Sequence, residues 1–117
     1  MDFDSAIRAH IDWKAKLSAY LNNVDKSLDA AVVARDDKCP LGQWIHGEGG
    51  RNVSSAAFAT LRTQHAAFHR AAADVVRRAN TGQNVKEDIA IGASSPFGTA
   101  SMDVIMSIKK MKKELAA

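Results

Sequence analysis

Four side chains in this 117-residue sequence have the chemistry to hold one metal ion together: His10, Cys39, His65 and His69. One thiol and three imidazoles are donor types that a closed tetrahedral Zn²⁺ site takes. His65 and His69 are four residues apart, so on a helix they project from one face at adjacent turns. Each donor taken singly has an ordinary alternative. A histidine on an apolar stripe is often a core imidazole bonded to a carbonyl, and a buried lone cysteine is often a small hydrophobe. Two buried imidazoles at successive turns are harder to explain so. Each needs a partner and they repel when protonated, whereas one cation satisfies both.

The elements that must position these donors are helical. Apolar steps of three and four at Phe3, Ile7, Trp13, Leu17, Tyr20 or Leu21, Val24, Leu28 and Ala31 or Val32 predict an amphipathic helix from Phe3 to about Val33. Asp2 or Asp4 can cap it, and His10 falls on its apolar stripe. Arg35-Asp36-Asp37-Lys38 breaks the pattern. A short helix follows with Pro40 at its first position, which puts Cys39 at the cap, where free N–H groups favour thiolate. Gly47-Glu48-Gly49-Gly50 is expected to end it with residues that tolerate positive φ. Ser54 or Ser55 caps a third helix running to about Asn80 on Phe58, Leu61, His65, Phe68, Ala72 and Val75 or Val76, and Asn80-Thr81-Gly82 stops it. A weaker helix is expected at about Val85 to Ile91, a break from Gly92 to Gly98, and a last helix from about Thr99 to Leu115. The architecture expected is all-α: one domain over residues 1–117, an antiparallel four-helix bundle with an additional short helix carrying the cysteine.

Three linked motifs carry a family resemblance. His10-Ile11-Asp12-Trp13, Cys39-Pro40-Leu41-Gly42-Gln43-Trp44 and His65-Ala66-Ala67-Phe68-His69, with 25 residues between Trp13 and Cys39 and 20 between Trp44 and His65, resemble the signature of bacterial chemoreceptor zinc-binding (CZB) domains. The resemblance implies Zn²⁺ held by His10, Cys39, His65 and His69 inside a helical bundle that dimerises. It places Leu41, Gly42 and Trp44 where they set the short helix so that the thiolate faces the metal, with Trp13 packed beside the site. It also implies a sensory role toward zinc and, through the metal-bound Cys39, toward hypochlorous acid and related oxidants. Such domains are commonly appended to chemoreceptors or diguanylate cyclases, so a signalling partner is expected; nothing in this sequence encodes one.

Composition narrows the classes. Cys39 is the only cysteine, which excludes an internal disulfide and suits a reducing, cytoplasmic compartment. No run of about 18 apolar residues exists to span a bilayer. A formal charge of +3, drawn largely from Lys109, Lys110, Lys112 and Lys113, is mild. Those lysines suit a last helical turn and lack aromatic interleaving, so no nucleic acid is expected. Asp36 is a candidate outer-sphere group, able to hydrogen-bond a ligand ring or tune the sulfur, with a plain loop acid as its alternative. His46 is expected to be a solvated loop residue and Asp12 to face solvent. Met102, Met106 and Met111 are expected in packing or dimer contacts, and faces bearing Met102, Ile105 and Val75 in a homodimer. A non-catalytic sensory domain is the primary expectation. The rivals are a zinc enzyme with an open coordination position, for which no general-base motif is present, and a bundle in which zinc only adds folding energy.

Overall fold

The computed structural model describes residues 1–89 and 95–116, and all regular structure among them is helical. Helix α1 (Phe3–Asn22) starts on Asp2, whose carboxylate accepts from the Ser5 N–H at 3.1 Å. Two one-turn helices follow, α2 (Ala30–Val33), capped by Asp29, and α3 (Pro40–Trp44), capped by Cys39. A π-type turn (Ile45–Gly49), kinked at Gly47, runs into α4 (Gly50–Asn52). Helix α5 (Ala56–Asn80) is capped by Ser55. A 3₁₀ turn (Lys86–Ile89) precedes α6 (Pro96–Ala116).

Tertiary hydrogen bonds give the directions of the rods. Tyr20 donates to Asn80, joining the ends of α1 and α5, so these two run parallel. Lys112 pairs with Asp4, and Ser55 donates to Glu114, so α6 runs opposite to both. The fourth rod is the broken stretch 23–55. Going forward along it, Leu28 meets Asn80, Val33 meets His69, Cys39 meets His65 and Trp44 stacks on Phe58. It therefore descends antiparallel to α5. The interior is filled by Leu17, Leu61, Phe68, Val76, Val104, Ile108 and Met111, none of them measurably exposed.

The all-α bundle with a short helix carrying Cys39 stands as the sequence implied; several boundaries do not. The first helix ends at Asn22 rather than near Val33. Asp25 accepts from the Ser27 N–H in a local turn and Lys26 sits at φ 62°, both incompatible with a continuing helix. Ala31 and Val32, one or other of which periodicity placed on the buried stripe, are both exposed, Val32 to 60%. The Gly47–Gly50 run adopts no positive φ; among the described glycines only Gly82, just past α5, does so. Gly49 and Gly50 are needed for room instead, since a Cβ would come within 2.8 Å of the Trp44 ring or 2.7 Å of the Ile45 carbonyl. The last helix begins at Pro96, not Thr99, because the Ser95 hydroxyl caps it by accepting from the Gly98 N–H. Of the weaker helix, Lys86–Ile89 forms a single 3₁₀ turn, and the rest of that helix and the break at Gly92–Ser94 lie outside the described residues. Val75 lies in this chain's own core and offers nothing to a second copy, whereas Met102 and Met106 are exposed.

Candidate metal centre

The four donors converge. His10 comes from the middle of α1, Cys39 from the cap of α3, and His65 and His69 from adjacent turns of α5, with one ligand atom from each lying within 4.8 Å of all the others. Cys39 Sγ is 3.2 Å from His65 Nε2 and 3.8 Å from His69 Nε2. In a tetrahedral shell with bonds of about 2.3 Å to sulfur and 2.0–2.1 Å to nitrogen, sulfur and nitrogen sit roughly 3.6 Å apart. The two distances bracket that value.

Ring orientation points the same way. The Ala6 carbonyl lies 2.7 Å from His10 Nδ1, and the Val33 carbonyl 3.0 Å from His69 Nδ1. A carbonyl can only accept, so each Nδ1 carries the proton and each Nε2 presents a lone pair. His10 Nε2 is fully buried and has no hydrogen-bond partner. An orphaned buried acceptor costs about 1–3 kcal/mol, and a cation among these donors removes that cost. His65 is different. Its Nε2 faces the sulfur, but its Nδ1 is buried with no partner, so it lacks the outer hydrogen bond that usually orients a ligating imidazole.

The surroundings keep the donors neutral until a metal arrives. Burial lowers the pKa of His10 and His69, and burial together with the neighbouring His69 and His10 pushes His65 down to about 3. Burial raises the Cys39 thiol, against which the Gly42 and Leu41 N–H groups favour the thiolate; the Gly42 N–H lies 3.4 Å from the sulfur. Neutral imidazoles are the metal-ready form. A bound dication overrides the burial of the thiol and holds it deprotonated.

The residues around the donors divide by what they touch. Phe68 packs edge-on to His10 and His69, at centroid distances of 5.2 and 5.5 Å. Trp13 lies edge-on to His69 at 6.4 Å, with Lys16 over its outer face. Trp44 stands away from the donors: its ring meets Phe3 and Phe58, pinning α3 to the first turns of α1 and α5. Gly42 is forced, because a Cβ there would lie 1.6 Å from the Asp36 carbonyl oxygen. The Asp36 carboxylate is 3.2 Å from His46 Nε2, in a pair outside the donor cluster, and reaches the site only through its charge, which raises the pKa of His69 and Cys39. Asp12 is exposed. Sequence reasoning missed Ala6 and Val33, whose main-chain carbonyls fix two rings. Ala6 is recoverable from helix geometry, being four residues before His10; Val33 has no signal in the sequence.

A family model, the chemoreceptor zinc-binding domain (CZB), matches residues 10–76. The match begins at His10, takes in all four donors and covers more than half of the chain. The chain belongs to this family. Comparison with curated proteins and with solved structures gave no match. The family's cofactor is zinc, and the buried His10, Cys39, His65 and His69 cluster is the candidate site for it. No helix among the described residues is long and apolar enough to cross a membrane.

Proposed function

We propose that this protein is a cytoplasmic sensory domain of bacterial signalling, tied to chemotaxis or cyclic-di-GMP output. In this reading it binds one Zn²⁺ through His10, Cys39, His65 and His69 and reports on zinc, on oxidants such as hypochlorous acid, or on both. The observation that carries the reading is the convergence of three imidazoles, two of them oriented by main-chain carbonyls, and one thiol around a buried, partnerless His10 Nε2. The chain as a whole is read as one domain that acts through a signalling partner and as a homodimer, without nucleic acid. A metalloenzyme reading is disfavoured because Cys39 fills the fourth position and leaves no open one. A purely structural role is disfavoured by the placement of Cys39 on the short, broken rod rather than on a long helix.

Zinc, when bound, holds the sulfur as thiolate and so keeps it nucleophilic. This chain's own residues do the rest. The Ala6 and Val33 carbonyls hold the protons on His10 and His69 away from the metal side. The Gly42 N–H and the tight Gly42–Asp36 approach hold the sulfur over His65. Two-electron oxidation of Cys39 to sulfenic acid would weaken its hold on zinc and free the segment around α3 from the site. The test is zinc release after stoichiometric hypochlorous acid, read with a chromophoric chelator alongside helicity. Wild type is expected to release zinc. If Cys39→Ser gives the same oxidant-linked release and helicity change, the thiol is not the trigger.

A further inference from the structure

A pocket of about 150 Å³ opens between the first turns of α1 and the start of α3, and it ends against His10 and Cys39. Ala6 and Ala9 of α1 line one side, Pro40 and Leu41 of α3 the other. Exposure grades along it: Ala9 and Pro40 are exposed, Ala6 is 6% exposed and Leu41 1%. The exposed residues mark a mouth and the buried ones an inner end. From the opposite side the sulfur is covered by His65 and His69, which are 0% and 3% exposed. The lining is almost wholly apolar, and the carboxylate near the mouth is Asp2, which Ser5 hydrogen-bonds and keeps ionised.

We propose that this pocket is the route by which reagents reach Cys39, and that it admits small uncharged electrophiles while holding back anions. The proposal names the reagent class for Cys39 and so rests on the reading of Cys39 as the oxidant-reactive ligand. Apolar walls offer nothing to replace the hydration of an ion, and the Asp2 carboxylate repels an anion at the mouth. Hydrogen peroxide and undissociated hypochlorous acid are small and neutral. With peroxide, the thiolate attacks one oxygen, the O–O bond breaks, hydroxide leaves, and the sulfur loses two electrons to become sulfenic acid as the peroxide is reduced. Iodoacetamide and iodoacetate probe the same path without redox chemistry: the thiolate attacks the methylene carbon and iodide leaves. These two reagents are close in size and differ in charge.

The experiment uses the full zinc-loaded chain, with Cys39 modification followed by peptide mass spectrometry. Ala9→Phe, at an exposed position of the pocket wall, is expected to slow both iodoacetamide and peroxide by about tenfold, equivalent to about 1.4 kcal/mol of barrier. Zinc content and helicity should be unchanged, and Ile11→Phe, elsewhere on the same helix, should leave the rates alone. Wild type is expected to prefer iodoacetamide over iodoacetate more strongly than a short cysteine peptide does, and Asp2→Asn to narrow that preference. Unchanged rates in Ala9→Phe overturn the route, and no preference beyond the peptide's overturns the charge filter. Should Ala9→Phe lose zinc, Ala9→Leu is read by the same criteria. If the plug gates iodoacetamide but peroxide never oxidises wild-type Cys39, the route stands and the oxidant reading fails. If peroxide oxidises Cys39 regardless of the plug, the reading stands and the route fails.

Discussion

The two halves of the metal centre are built differently. Helices α1 and α5 supply three imidazoles that are at most 3% exposed, packed on one another and on Phe68. The broken rod, residues 23–55, supplies a half-buried thiol from the cap of a five-residue helix. It is held to the frame by Leu28 to Asn80, Val33 to His69, the Trp44 ring between Phe3 and Phe58, and the buried Leu41 and Ile45, but none of its helices exceeds five residues. Local opening is cheaper where short elements hold a segment than where a long helix does. On the proposed reading, a rigid frame with one detachable ligand is what a switch needs, and the release point would be Cys39 rather than a histidine.

Breaking the frame should have the largest effect. His65→Ala is expected to lower zinc affinity by well over the roughly 100-fold that loss of an outer hydrogen-bond partner brings, measured by chelator competition. It should also destabilise the zinc-free chain by about 2 kcal/mol or more, because it hollows a fully buried position. Cys39→Ser should weaken zinc binding too, yet leave zinc-free stability within about 1 kcal/mol. Equal effects of the two on the zinc-free chain would erase the contrast between frame and broken rod.

Zinc removal sharpens it further. Hydrogen exchange of the stripped protein should accelerate across residues 23–55 while the centres of α1, α5 and α6 keep their protection. Uniform acceleration would mean that metal staples the whole bundle. A smaller effect is expected from Gly42→Ala, where the new Cβ meets the Asp36 carbonyl. Overpacking of that kind costs about 1–3 kcal/mol, and it should displace Cys39 and weaken zinc binding with the histidine cluster intact.

The mildest test is pH. In the zinc-free protein all three cluster histidines have pKa values below their ordinary 6.5, His65 at about 3, chiefly through burial. Between those limits the unfolded chain binds more protons than the folded one, so stability rises with pH. The stripped protein should therefore lose stability progressively as pH falls below about 6.5, as seen in denaturant midpoints. A flat profile from pH 7 to 4 would show that the imidazoles are not buried as described.

Much of this division was legible in the sequence, for a physical reason. His10, His65, Phe68 and Leu61 obey the helical repeat, and a repeat survives in any chain that must bury one face. Pro40 marked the start of α3 and with it the cap position of Cys39. The broken rod was less legible. Val24, Leu28 and Val32 continue the apolar spacing of α1, but the Asp25 turn and the left-handed Lys26 end the helix before them. The Val33 carbonyl that orients His69 is a main-chain group, and its identity leaves no mark on the residue type. Periodicity reports faces; it is silent on where a segment stops and which carbonyl it turns inward.

The most direct test of the centre is X-ray absorption at the zinc edge on the zinc-loaded protein. The account predicts one ion per chain with a four-coordinate shell of three nitrogens and one sulfur, the sulfur at about 2.3 Å, and loss of that sulfur in Cys39→Ser. A shell without sulfur, or one in which water oxygen replaces a histidine, would contradict it.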